Sequence, residues 1–198
     1  MAYRSKSLSR PTAQIQTLHR WLPQVRAGQI YLLVGPAGLV GPIAQELTHH
    51  FAIRGAVRVL LGGNRFSLER LPLLLGDRGN QIYEILDRIQ VSRGETCYQL
   101  LHALEKTPRD SIPFILTDAL ETLYEDGLTL IEVERVLRDS LANLRQISES
   151  APVLLSAAHR PDRPGLLETL IEAVDHVIEV RPNQPLATPQ QLPLLPNA

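Results

Sequence analysis

Residues 29–42 read Gln-Ile-Tyr-Leu-Leu-Val-Gly-Pro-Ala-Gly-Leu-Val-Gly-Pro, an apolar strand running into Gly-Pro-x-Gly and then into a helical pattern. This is the local plan of a phosphate-binding loop, which belongs at the head of an α/β fold. The plan calls for a lysine and a Ser/Thr where Gly41 and Pro42 stand. The lysine would reach the β and γ phosphates and the hydroxyl would hold Mg²⁺, so their absence removes two charge-neutralising groups from any nucleotide at this turn. Both lysines of the chain, Lys6 and Lys106, are remote in sequence, and no register shift brings one in. A fold signal is present without the chemistry that usually accompanies it.

The rest of the chain agrees with that fold signal. Short leucine-rich or β-branched runs at 30–34, 57–61, 88–91, 113–117, 153–157 and 176–180 read as buried parallel strands. Between them, 41–53, 68–75, 95–106, 130–148 and 166–173 carry apolar residues at three- and four-residue spacing, as helices packed on a sheet require. Strand and helix patterns in alternation predict a three-layer α/β sandwich around a mainly parallel, doubly wound sheet. The domain is expected over 14–181, between a basic N-terminal tail (1–13) and a proline-rich, disordered C-terminal tail (182–198).

Composition narrows the class. With 198 residues, 44% hydrophobic, 21% charged and a net charge of -1, the chain has enough length for a real core and no global charge that selects nucleic acid. Cys97 is the single cysteine, so no disulfide framework and no cysteine zinc cluster is expected. Neither a signal peptide nor an apolar run of about 18 residues is visible, and the expectation is a cytoplasmic protein that does not meet a membrane.

In their order, the motifs resemble the RecA/RadA recombinase superfamily, nearest its archaeal and eukaryotic paralogue branch. Ala27-Gly28-Gln29-Ile30 leads into Gly35-Pro36-Ala37-Gly38; Phe66-Ser67-Leu68-Glu69-Arg70-Leu71 follows the second strand; Ile89-Gln90-Val91, Arg93 and Gln99-Leu100-Leu101 come next. Phe114-Ile115-Leu116-Thr117-Asp118 then stands where the family has its second nucleotide motif, an apolar strand ending in aspartate. The resemblance implies a RecA-like fold. It also implies that the catalytic glutamate belongs near Gly62-Gly63-Asn64-Arg65, where this chain has no acid, so that no catalytic residue and no enzyme activity is expected. No filament-hook phenylalanine stands in the N-terminal region.

The candidate nucleotide or anion site is Gly35, Pro36, Ala37, Gly38, Gly41 and Asp118, since backbone N–H groups at a helix start attract anions even without a lysine. Pro42 offers no N–H and starts helices well, which favours a plain strand-to-helix turn. Arg65, His159, Arg160 and Arg163 are candidates for contact with a partner protein or DNA, Arg65 and Arg160 also being the nearest replacements for the missing lysine. Glu121, Glu125, Asp126, Glu132 and Glu134 read as a solvated acidic face. No metal site and no cofactor is implied. The function expected from the resemblance is an inactive RecA-like ATPase domain, accessory to DNA recombination and repair, binding an active relative or a second copy and contacting DNA weakly. The alternative is a nucleotide switch or unconventional NTPase that uses the Gly35 turn without a lysine.

Overall fold

The computed structural model describes residues 22–63, 81–125, 127–160, 164–182 and 190–191. The N-terminal tail, the 66–71 motif, the helix expected at 68–75, Arg65, Asp126, Arg163 and most of the C-terminal tail lie outside these residues.

A seven-stranded sheet forms the middle layer. Its strands are β1 (Ile30–Gly35), β2 (Val57–Leu61), β3 (Ile89–Arg93), β4 (Phe114–Thr117), β5 (Val153–Ala158), β6 (His176–Glu179) and the two-residue β7 (Gln190–Gln191). The spatial order is β3-β2-β4-β5-β1-β6-β7, with all pairings parallel except β6 with β7. The described helices are α1 (Ala37–Arg54), α2 (Gln81–Asp87), α3 (Cys97–Lys106), α4 (Leu130–Ser148) and α5 (Pro164–Ala173).

Period-two alternation along the buried strands builds two cores. Ile30, Leu32 and Val34 of β1, with Phe114, Leu116, Val153 and Leu155, pack under α3, α4 and α5. Tyr31 and Leu33, with Val57, Val59, Ile115 and Leu154, pack under α1 and α2. The chain moves from β1 through β2 to β3 by way of α1 and α2 on one face. It then reverses through β4, β5 and β6 by way of α3, α4 and α5 on the other. A change of face with each reversal of direction is what a constant crossover hand demands, and the result is the doubly wound three-layer sandwich.

Three details depart from the sequence reading. Helix α1 begins at Ala37 rather than at 41, so Gly38 and Gly41 are helical and Pro42 lies inside the helix. Roughly 1 kcal/mol for each helical glycine and about 3 for the proline oppose this. Burial of Val40, Ile43 and Leu47 against the sheet contributes about 1.5–3 kcal/mol each and prevails. The seven-residue α2 was not expected, being too short for a clear 3.6-residue period. Gln190–Gln191, within the stretch read as a tail, pairs antiparallel with β6 at His176 and Val177.

The amino edge of the sheet is fastened by charged hydrogen bonds. Asp175 accepts the Ile30 N–H at 2.7 Å and an Arg145 N–H at 2.7 Å, while Arg145 also donates to the Ala173 carbonyl. Arg58 makes a forked pair with Asp110 at 2.6 and 2.7 Å, which holds the Asp110 carboxyl below its usual range.

Candidate functional site

Loops that leave adjacent parallel strands toward opposite faces open a crevice at the carboxyl edge, where α/β proteins bind ligands. Two such places matter here, the β1–α1 turn and the exits of β2 and β4.

At the first, the connection between strand and helix is Pro36 alone, with φ -59° and ψ 135°. Its carbonyl accepts the Leu39 and Val40 N–H groups, and no side chain caps the helix. A phosphate cradle needs several residues of loop to wrap the anion with inward N–H groups. Here Gly38 and Gly41 have joined the helix instead. Gly35 is hemmed by both neighbouring strands: its carbonyl accepts the His159 N–H, it is in register with Ala158, and an added Cβ would stand 2.5 Å from the Val180 carbonyl oxygen. Its lack of a side chain is thus required by strand packing.

At the second, Asp118 follows β4 in the left-handed region, φ 52°, the one described non-glycine residue with positive φ. Such a conformation costs an ordinary residue about 1 kcal/mol or more, and aspartate bears it better than most. The surroundings hold it there. Ser156 Oγ accepts the Asp118 N–H at 3.0 Å, and the Asp118 carbonyl accepts the Glu121 N–H. Gly62 and Gly63 press on it so closely that a Cβ on Gly62 would meet the Asp118 oxygen at 2.7 Å, and one on Gly63 the Asp118 carboxylate at 2.9 Å. The pair of glycines after β2, read from sequence only as the place of a missing acid, makes room for this buried aspartate.

Beside Asp118 lies a cavity of about 560 Å³ lined by Gly62 and Gly63 after β2, Arg93 at the end of β3 with Gly94 and Glu95 after it, Glu121, Thr122, Tyr124 and Glu125 after β4, and Arg160 after β5. Arg160 donates to Glu121 Oε1 at 2.7 Å and lies 5.0 Å from the centre of the Tyr124 ring. Glu121 therefore joins Asp118 to Arg160, two candidates that the sequence left separate. Glu121 is paired, and Glu132 closes a capping box with Thr129 whose hydrogen bonds hold its carboxyl below the usual range. These two acids carry structural work that a merely solvated face would not. His159 is exposed at the end of β5. Its charge, behind the dominant hydrogen bond from Arg181, helps lower the Glu179 carboxyl.

Arg93, Glu95, Thr122 and Tyr124 were not singled out as site residues from sequence. The available signal was topological, because each ends or follows a strand at its carboxyl end. Among the described residues no group of three or more His, Cys, Asp or Glu is placed to hold a metal ion, and no helix is long and apolar enough to cross a membrane. Comparison with protein-family models and with curated proteins gives no match.

Proposed function

We propose that this chain is a RecA-like ATPase domain that has left hydrolase chemistry behind and acts by binding other proteins, as an accessory factor in DNA recombination and repair. The observation that carries the reading is the β1–α1 junction. A linker of Pro36 alone, with Gly38 and Gly41 in the helix, offers neither the wrapped loop nor the lysine that a triphosphate needs. Asp118 is taken up by a strained turn and Arg160 by an ion pair with Glu121. Each of these residues has a structural employment, which suits a scaffold whose surfaces matter more than its nucleotide site. The link to recombination rests on the order of the sequence motifs, since a fold by itself does not name a process.

The test is the thermal midpoint with and without millimolar ATP and Mg²⁺, beside size-exclusion chromatography with a purified RecA-family recombinase. No nucleotide shift and a salt-sensitive co-elution with the recombinase are expected. A nucleotide shift of several degrees would overturn the scaffold reading in favour of a nucleotide switch.

A further inference from the structure

β3 is the outer strand of the sheet and lies open along most of its length. Ile89 is half-buried, whereas Gln90, Val91, Ser92 and Arg93 are exposed, Val91 at 38%. Natural edge strands are blunted by a proline, a bulge, an inward-pointing charge or a covering element. β3 keeps an unbroken register of five pairs with β2, holds no proline, and carries one charge, Arg93, at its last position. Its main chain also turns outward at every second residue. The Val57 N–H donates to the Arg88 carbonyl and the Gly94 N–H to the Leu61 carbonyl, and in a parallel ladder of this register the residues between them that bond to β2 are Gln90 and Ser92. The N–H and C=O groups of Ile89 and Val91 consequently face away from the sheet.

The pattern of this edge matches itself. Read in opposite directions, Ile89-Gln90-Val91-Ser92-Arg93 is symmetric about Val91, which exchanges both outward hydrogen bonds with its own counterpart, as directly opposed residues of an antiparallel pair do. On the α2 face Val91 then meets Val91, and Ile89 meets the stem of Arg93; on the α3 face Gln90 meets Ser92. No like charges are opposed. The end of one strand, with Arg93, lies beside the start of the other, where Asp87 closes α2 and Arg88 is turned inward to the Ala52 and Ile53 carbonyls. On the α3 face Gln90, Val91 and Ser92 border an open groove of about 300 Å³ with Ala103, Lys106 and Thr107 across it, which leaves space for incoming side chains. Among the described residues the opposite edge of the sheet is the two-residue β7, so head-to-tail addition of one sheet to the next has no comparable strand to use. A two-fold pair, in contrast, closes on itself.

From this arrangement we propose that β3 pairs antiparallel with β3 of a second copy of this chain, about a two-fold axis at Val91, so that two seven-stranded sheets become one continuous sheet. A five-residue strand pair is small as interfaces go, and the dimer is accordingly weak and concentration-dependent. It uses neither the β1–α1 turn nor a nucleotide, so the inference goes beyond the scaffold reading and does not depend on it.

Sedimentation equilibrium of the full chain from micromolar to near-millimolar concentration tests the pairing, beside Val91→Lys, Val91→Glu, their equimolar mixture, and Val91→Pro. The proline variant removes an outward N–H that the β2 ladder does not use, a place where edge strands tolerate proline. Thermal midpoints at the lowest concentration verify that each variant folds. Expected are a monomer–dimer equilibrium for the parent, at least a tenfold weaker association for each variant by itself, and recovery in the mixture, where opposite charges face each other. A parent that stays monomeric throughout, an assembly that grows past the dimer, variants that associate as the parent does, or a mixture no tighter than either of its components overturns the pairing. None of these outcomes bears on the nucleotide shift and the recombinase co-elution that test the scaffold reading.

Discussion

An added Cβ at Gly35 would meet the Val180 carbonyl oxygen at 2.5 Å and the Val180 Cβ at 2.9 Å, both fixed by the β1–β6 pairing. Neither can retreat without breaking the bond from the Val180 N–H to the Val34 carbonyl. Gly35→Ala is therefore expected to destabilise the fold by about 1–3 kcal/mol, the usual cost of overpacking. A urea midpoint lowered at unchanged slope verifies this, while an unchanged midpoint would show that β6 moves freely. At Gly62 and Gly63 the cause is again a close approach, here of Asp118, whose backbone turns left-handed at φ 52°. The sequence presented all three as glycines of a nucleotide fold or as the gap left by a catalytic acid. Which backbone each must clear depends on strands far away in sequence, and no local pattern carries that information.

Helix α1 makes the same point for whole elements, with a consequence of opposite sign. Gly41 lies in its first turns with nothing within 4 Å of where a Cβ would stand. Gly41→Ala is therefore expected to stabilise by about 0.5–1 kcal/mol, through helix propensity and a less flexible unfolded chain. A higher urea midpoint is the check; a loss of stability would mean that residue 41 needs a conformation alanine resists. The strands other than β3 and β7 were legible to within one residue at each end, β2 completely so, because both faces of a buried parallel sheet demand continuous apolar runs, whereas the largely exposed β3 runs two residues past the expected 91. Helix α4 was equally plain, since Thr129 and Glu132 form its capping box and its apolar stripe is long. The start of α1 was hidden because glycine and proline read locally as a loop, whereas burial of Val40 and Ile43 decides the matter in three dimensions. Asp118 and Arg160 were named from sequence by their positions after strands, whereas Glu95, Thr122 and Tyr124 line the crevice with Arg160 only through the sheet order.

The two edges of the sheet divide the tasks of the molecule. The carboxyl edge carries the crevice, and the amino edge carries the fastenings around Asp175 and Asp110. His176 belongs to the latter: its ring stacks on Tyr31 at 4.6 Å and 12°, and its Nε2 lies 2.9 Å from Gln29 Oε1. An amide oxygen only accepts, so Nε2 carries the proton and Nδ1, buried without a partner, keeps its lone pair. A second proton would create a buried N–H with no acceptor. Burial accordingly lowers the pKa of His176 from the usual 6.5, with Asp175 opposing and Arg26 assisting. Because the unfolded chain takes up that proton at higher pH than the folded one, this contribution to stability is complete above about pH 6.5 and declines as the pH falls toward the folded value. Asp110 and Glu179, held low by Arg58 and Arg181, lose their contributions only below the ordinary values of 3.8 and 4.5. Between pH 7.5 and 5.5 the carboxylate windows are not entered. Between pH 7.5 and 5.5 the thermal midpoint of the parent should therefore fall more steeply than that of His176→Gln, which keeps a donor for Gln29 and cannot charge. The other histidines are common to both proteins, so the difference in slope isolates this one, and equal slopes would remove His176 from the acid response.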